Sequence, residues 1–157
     1  MSTTAPQDRL LLVEDDQSLR IVFGNELGRM GWQVATHATG DGVVAQIVAH
    51  EPDVVLLDLH LPGTPGIDVL AQIVRHDPEL PVVVCTGHGT VSLAVQAMQA
   101  GAFDFLTKPV ALDVLEQTVR RARQHGRLLR ENERLRRATA HAPAGSLPTS
   151  SSPAARR

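Results

Sequence analysis

Short, continuously apolar runs alternate along the chain with longer segments whose apolar residues recur every three or four positions. Each run stops at acidic, hydroxylic or turn-forming residues. The first, Leu10 to Val13, ends in Glu14-Asp15-Asp16. A helix is predicted next, with Leu19, Val22, Phe23, Glu26, Leu27 and Met30 recurring at three and four residues and Gly31 as its stop. Gln33 to His37 reads as a weaker second strand, and Gly40 to His50 as a short helix limited by Pro52. Val54 to Leu57 suits a central strand covered on both faces and ends at Asp58. Turn residues from Leu61 to Gly66 precede a helix over Ile67 to Arg75. Val82 to Cys85 ends at Thr86, Val91 to Ala100 is helical, and Phe103 to Leu106 ends at Thr107-Lys108-Pro109. A last helix is predicted from Leu112 to Arg137, with Leu128, Asn132 and Leu135 continuing a short seam. Ala138 to Arg157, with three prolines among Ser, Thr, Ala and Gly, reads as a disordered tail. Strands alternating with helices predict an α/β fold around a parallel sheet.

Composition narrows the class. With 43% apolar and 20% charged residues over 157 positions, the chain can bury a core. The one cysteine, Cys85, follows Val82, Val83 and Val84, which points to burial in a reducing compartment. No apolar run approaches the roughly 18 residues that span a bilayer, and the first ten residues lack an apolar signal region. A soluble cytoplasmic protein without membrane contact is expected.

The net charge of −2 conceals a segregation. Residues 1–119 carry five basic and fifteen acidic side chains; residues 120–157 carry ten basic and two acidic ones. An acidic body, suited to cations, is joined to a basic end that solvates a helix or meets anionic partners.

In an open parallel sheet the ligand site lies at the carboxyl ends of the strands. The residues ending each run are Glu14, Asp15 and Asp16, then Asp58, Thr86 and Lys108. Taken singly, each acid would read as a helix cap or loop residue. Together they put several carboxylates on one rim. Two carboxylates about 4 Å apart repel by about 4 kcal/mol at an effective dielectric of about 20, so such a rim needs a cation, a proton or a lysine. Oxygen ligands suit Mg²⁺, and no Cys/His set supports zinc. Lys108 is the single lysine among fifteen basic residues. Its compact ammonium suits a point contact to a carboxylate or phosphoryl oxygen.

Four motifs carry a resemblance: Leu11-Leu12-Val13-Glu14-Asp15-Asp16, Val54 to Gly63, Val84-Cys85-Thr86-Gly87, and Phe103-Asp104-Phe105-Leu106-Thr107-Lys108-Pro109. Over residues 8–123 the chain resembles the receiver domain of bacterial two-component response regulators. The resemblance implies a doubly wound five-stranded parallel sheet of order 2-1-3-4-5, the flavodoxin-like arrangement. It implies that Asp58 takes a phosphoryl group from a sensor histidine kinase. Asp15, Asp58 and the backbone carbonyl of His60 would ligate Mg²⁺, with Glu14 acting mainly through water and Asp16 a lesser candidate. Lys108 and Thr86 would contact the phosphoryl oxygens, and Thr86 with Phe105 would form the switch. The chain would then be a phosphoacceptor that catalyses only its own modification. By the same resemblance His60 and His88 flank the phosphoryl site and influence its hydrolysis.

Thr86-Gly87-His88-Gly89, with Ala94 to Ala102, resembles receivers of the NtrC type, which control transcription, and Arg127 to Leu135 resembles their helical linker. The expected organisation is a receiver at 8–123, a helical extension at 124–137 and a tail at 138–157. No phosphate-binding G-x-x-x-x-G-K-[ST] loop or DNA-reading helix pair follows. Output is therefore expected either through protein contacts or through an NtrC-type effector outside this sequence, and direct DNA binding is not expected of this chain. A homodimer is expected through the last helix or the surface of the fourth helix, fifth strand and fifth helix.

Two rivals fit less well. A haloacid-dehalogenase-like phosphatase resembles Asp-x-Asp at its nucleophile, but Asp58-Leu59-His60 lacks the second acid. A receiver-shaped binding module inert to phosphate would not need Glu14, Asp15, Asp58, Thr86 and Lys108 together.

Overall fold

The computed structural model describes residues 7–140. Five strands alternate with five helices: β1 (Asp8–Val13), α1 (Gln17–Arg29), β2 (Trp32–His37), α2 (Val43–His50), β3 (Val54–Leu57), α3 (Gly66–His76), β4 (Val82–Thr86), α4 (Val91–Gln99), β5 (Asp104–Thr107) and α5 (Leu112–Ala140). All neighbouring strands pair in parallel, in the order β2-β1-β3-β4-β5. The expected fold class is therefore observed.

Alternate residues of each strand face opposite layers, which explains why the central runs are apolar throughout. Leu11, Val13, Val55, Leu57, Val82 and Val84 pack against Val43 and Ile47 of α2, Val69, Leu70 and Ile73 of α3, and Ala97 of α4. On the other face, Leu10, Leu12, Val54, Leu56, Val83 and Cys85 meet Phe23 and Leu27 of α1 and Leu115, Val119 and Ala122 of α5. Burying one such leucine stabilises the fold by about 2 kcal/mol. The two cores fix the height of every strand, and hence the level at which each chain leaves the sheet.

The helices begin where local hydrogen bonding dictates. Asp16 caps α1, accepting from the Leu19 N–H at 3.1 Å, and Thr90 caps α4 through the Leu93 N–H at 3.0 Å. The sequence pattern starts the second helix at Gly40, but α2 begins at Val43. Gly42 adopts a left-handed conformation, and the Thr39 hydroxyl ties Thr39 to Asp41 in a turn.

The chain divides into two units, with the break after Gly126. In the second, residues 127–140 are helical, which carries α5 three residues past the expected end at Arg137. Ion pairs at helical spacing join Glu131 to Arg134 and Glu133 to Arg136 and Arg137, favouring continued helix over a break. Residues 141–157 of the expected tail lie outside the described residues. Among the described residues no helix is long and apolar enough to cross a membrane.

Candidate functional site

Strand register assembles the site. Val13 lies beside Leu57, Leu57 beside Val84, and Thr86 beside Thr107. The residues leaving β1, β3, β4 and β5 therefore emerge along one rim. Backbone bonds hold them there: the Asp58 N–H donates to the Val13 carbonyl at 3.0 Å, and the Lys108 N–H to the Thr86 carbonyl at 3.0 Å.

Lys108 reaches between two acids. Its Nζ lies 2.6 Å from Glu14 Oε1 and 3.0 Å from Asp58 Oδ2. Glu14 is 2% exposed and Asp58 5%, so these charges interact in a medium far less screening than water. Glu14 Oε2 accepts the Asp16 N–H, and Asp58 Oδ1 accepts the His60 N–H at 2.9 Å. Asp15 is exposed and completes a carboxylate trio: one oxygen from each of Glu14, Asp15 and Asp58 lies within 4.8 Å of the others. Three hard oxygen donors at this spacing fit Mg²⁺, with room for further oxygens.

Burial holds the Glu14 carboxyl above its ordinary value, against the pull of the Lys108 ammonium and the Asp16 N–H. Burial pushes Asp58 in the same direction, but the His60 N–H and Lys108 outweigh it and hold its carboxyl below the ordinary value. Burial draws Lys108 down, yet its bonds to Glu14 and Asp58 prevail and keep the ammonium protonated to higher pH than usual. At neutral pH the rim thus pairs an ionised Asp58 with a charged Lys108.

The other residues singled out in the sequence fall around this centre. Thr86 is fully buried, and its hydroxyl adds to the stabilisation of ionised Asp58. Phe105 packs at the edge of the α2–α3–α4 core, its ring against Gly89. The rings of His60 and His88 stack at 4.3 Å with an interplanar angle of 28°. Asp16 is not in the trio; its carboxylate is the α1 cap.

The contact of Arg20 with this rim has no signal in the sequence. Arg20, on the first turns of α1, donates from one guanidinium nitrogen to the carbonyls of Glu14 (2.8 Å) and Asp15 (2.9 Å). It fixes the backbone carrying two of the three acids. Its spacing of five and six residues from them matches no helical or strand period, so only the folded turn shows it.

Comparison with known proteins agrees with this geometry. Residues 10–120 match the model of the response regulator receiver domain family. The chain is 43% identical over 143 residues to the C4-dicarboxylate transport transcriptional regulatory protein DctD of Pseudomonas aeruginosa, covering 89% of this chain and 31% of that protein. It is 36% identical over 114 residues to the DNA-binding transcriptional regulator NtrC of Salmonella typhimurium, covering 73% of this chain and 24% of that one. The chain thus spans less than a third of these relatives. Among solved structures it superposes on NtrX from Brucella abortus with a TM-score of 0.77 at 34% identity, over 83% of this chain and 30% of that one. It superposes on the signal receiver domain of a Luxo repressor protein from Vibrio parahaemolyticus with a TM-score of 0.76 at 35% identity, over 82% and 98%. With sheet order, acidic rim and family match in agreement, this chain belongs to the response regulator receiver domains of two-component signal transduction, in the subgroup of NtrC, DctD and NtrX.

Proposed function

We propose that Asp58 accepts a phosphoryl group from a phosphohistidine of a sensor histidine kinase. The observation that carries this reading is Lys108 Nζ bridging Asp58 and Glu14, with Asp15 completing the carboxylate trio. A carboxylate attacks only when ionised, and the His60 N–H and Lys108 keep Asp58 so. An Asp58 oxygen forms a bond to phosphorus as the phosphorus–nitrogen bond to the imidazole breaks, and that imidazole keeps the electron pair and takes up a proton. Glu14, Asp15, Asp58 and the His60 carbonyl would hold Mg²⁺, which when bound neutralises charge on the phosphoryl oxygens. Lys108 supplies a second positive charge from the end of β5. The Thr86 hydroxyl then turns to a phosphoryl oxygen, and Phe105 follows into the space it leaves, changing the surface of α4, β5 and the start of α5.

Exposed Val91, Val95 and Met98 on α4 support a protein contact there, and exposed Leu128 and Leu135, seven residues apart, support a helical pairing in the second unit. Sedimentation with and without beryllofluoride tests the resulting homodimer; a monomer under both conditions rejects it. We assign the receiver to residues 8–123 and the helical extension to 124–137, and place the protein in the cytoplasm. Its output, by analogy with the relatives, is control of a transcriptional effector. Phosphoryl uptake from acetyl phosphate tests the central step: it should require Mg²⁺ and disappear in Asp58→Asn. Uptake by that variant at the wild-type rate would reject the assignment.

A further inference from the structure

The loop from Leu59 to Pro65, which leaves the site and leads to α3, is fastened from outside. Asp41, in the loop between β2 and α2, accepts two hydrogen bonds on one carboxylate oxygen: from the Thr64 N–H at 3.0 Å and the Thr64 hydroxyl at 2.7 Å. The Gly40 N–H donates to the Pro62 carbonyl at 2.9 Å. The loops meet so closely that side chains are excluded. A Cβ on Gly40 would stand 2.1 Å from the Thr64 carbonyl oxygen, and one on Gly63, itself at φ +82°, 2.5 Å from the Asp41 carboxylate.

Asp41 immediately precedes Gly42 and α2, where an acid ordinarily caps its own helix. It does not: α2 has no side-chain cap, and the carboxylate spans to the other loop instead. The fastening also reaches back to β1. The His37 ring donates through Nε2 to the Asp41 carbonyl at 2.6 Å, and the His37 carbonyl accepts the Glu14 N–H at 3.0 Å. One series of hydrogen bonds thus runs from Glu14 through His37 and Asp41 to Thr64, four residues beyond His60.

We infer that Asp41 is a positioning residue for the phosphoacceptor site: through Thr64 it holds the loop that carries the His60 carbonyl in register with Glu14, Asp15 and Asp58. This rests on the phosphoryl-transfer reading above. Metal sites depend on such outer contacts because a ligand that must be ordered on binding binds more weakly. The Thr64 hydroxyl and N–H hold the Asp41 carboxyl below its ordinary value.

The test is calorimetric titration of the full chain with Mg²⁺, paired with phosphoryl uptake from acetyl phosphate. Asp41→Ala should weaken Mg²⁺ binding about fivefold and slow uptake by a similar factor. This is below the tenfold or more usual for outer-shell partners, because water replaces part of the lost bonding at an exposed site. Asp41→Asn keeps the accepting oxygen and should stay within about twofold of wild type, whereas Thr64→Val loses only the hydroxyl and should weaken binding about threefold. A merely structural role would lower the unfolding temperature of Asp41→Ala while leaving the Mg²⁺ affinity of the folded protein unchanged. That result overturns the inference, as does Asp41→Asn behaving like Asp41→Ala. Should Asp41→Ala not fold, Thr64→Val with wild-type affinity overturns it equally. Absence of Mg²⁺ binding by the wild type would overturn the phosphoryl-transfer reading and this inference together.

Discussion

Strand β1 joins two rims of one sheet that handle charge in opposite ways. Where it begins, most charges are paired. Asp8 pairs with Arg123, whose guanidinium also lies over the Trp32 ring at 6.0 Å. The Arg9 side chain reaches Glu51 at 3.4 Å, and its backbone N–H donates to Asp53 at 2.8 Å. Where β1 ends, Glu14, Asp15 and Asp58 face the one ammonium of Lys108. The first arrangement leaves little charge over, although the Nε of Arg123 is buried with no hydrogen-bond partner among the described residues. The second keeps an excess of negative charge that a divalent cation would relieve. A receiver site is therefore the place where the fold leaves its electrostatics unbalanced, at a cost offset by the two apolar cores beneath.

The sharpest way to break this contrast is Asp58→Asn, which should abolish phosphoryl uptake while urea unfolding still shows a cooperative fold. Lys108→Ala comes next. It removes the one positive side chain that, among the described residues, bonds both the Asp58 and the Glu14 carboxylate, and should slow uptake by about a hundredfold or more, measured at saturating acetyl phosphate.

The third effect appears at alkaline pH, which this chain reports cleanly because it has no tyrosine and one lysine. Burial pushes the Cys85 thiol up to about 11. In the unfolded chain the thiol loses its proton first, so the folded state binds more protons and stability falls as pH rises. The loss starts above about pH 8.5 and amounts to about 3 kcal/mol by pH 11. Lys108, also held above its ordinary value, extends the decline in the same direction. Urea unfolding of Cys85→Ala at pH 8 and pH 11 should show a markedly flatter profile than wild type; an identical slope would contradict the assignment.

Smaller still is the effect at the matched rim. Arg123→Ala should cost about 1 to 2 kcal/mol of stability, through lost packing on Trp32 as much as the lost ion pair, and should leave phosphoryl uptake unchanged. The smallest is Glu14→Gln. A carboxyl raised in the fold contributes stability that is complete below its unfolded value and is lost as pH rises through its folded value. The glutamine variant escapes that loss, so its stability relative to wild type should rise between pH 4 and pH 7.5. A relative fall would show that Glu14 is stabilised, not strained, in its ionised form.

These rims were not equally legible in the sequence. Glu14, Asp58, Thr86 and Lys108 stand where apolar runs stop, and a parallel sheet carries all such stops to one edge. The apolar runs and the strand-end rule therefore placed them on one edge, while their roles came from the family resemblance. Arg20, Asp41 and Thr64 were silent, because their contacts join turns whose mutual position is set by the packing of whole layers. The early start assigned to α2 has the same origin. Gly40 to Gly42 looks permissive for helix beside Val43, Val44 and Ile47, but the residues are used to meet the opposite loop. At the matched rim, Asp8 and Arg123 lie 115 residues apart, and no local pattern could have paired them.

The most direct measurement is to map where the phosphoryl group goes. Wild-type protein treated with acetyl phosphate and Mg²⁺, then reduced with borohydride to fix the acyl phosphate, should yield one altered peptide, changed at Asp58, and none without Mg²⁺. Modification at another carboxylate, or equal modification without the ion, would contradict the account of this rim as a metal-dependent phosphoacceptor.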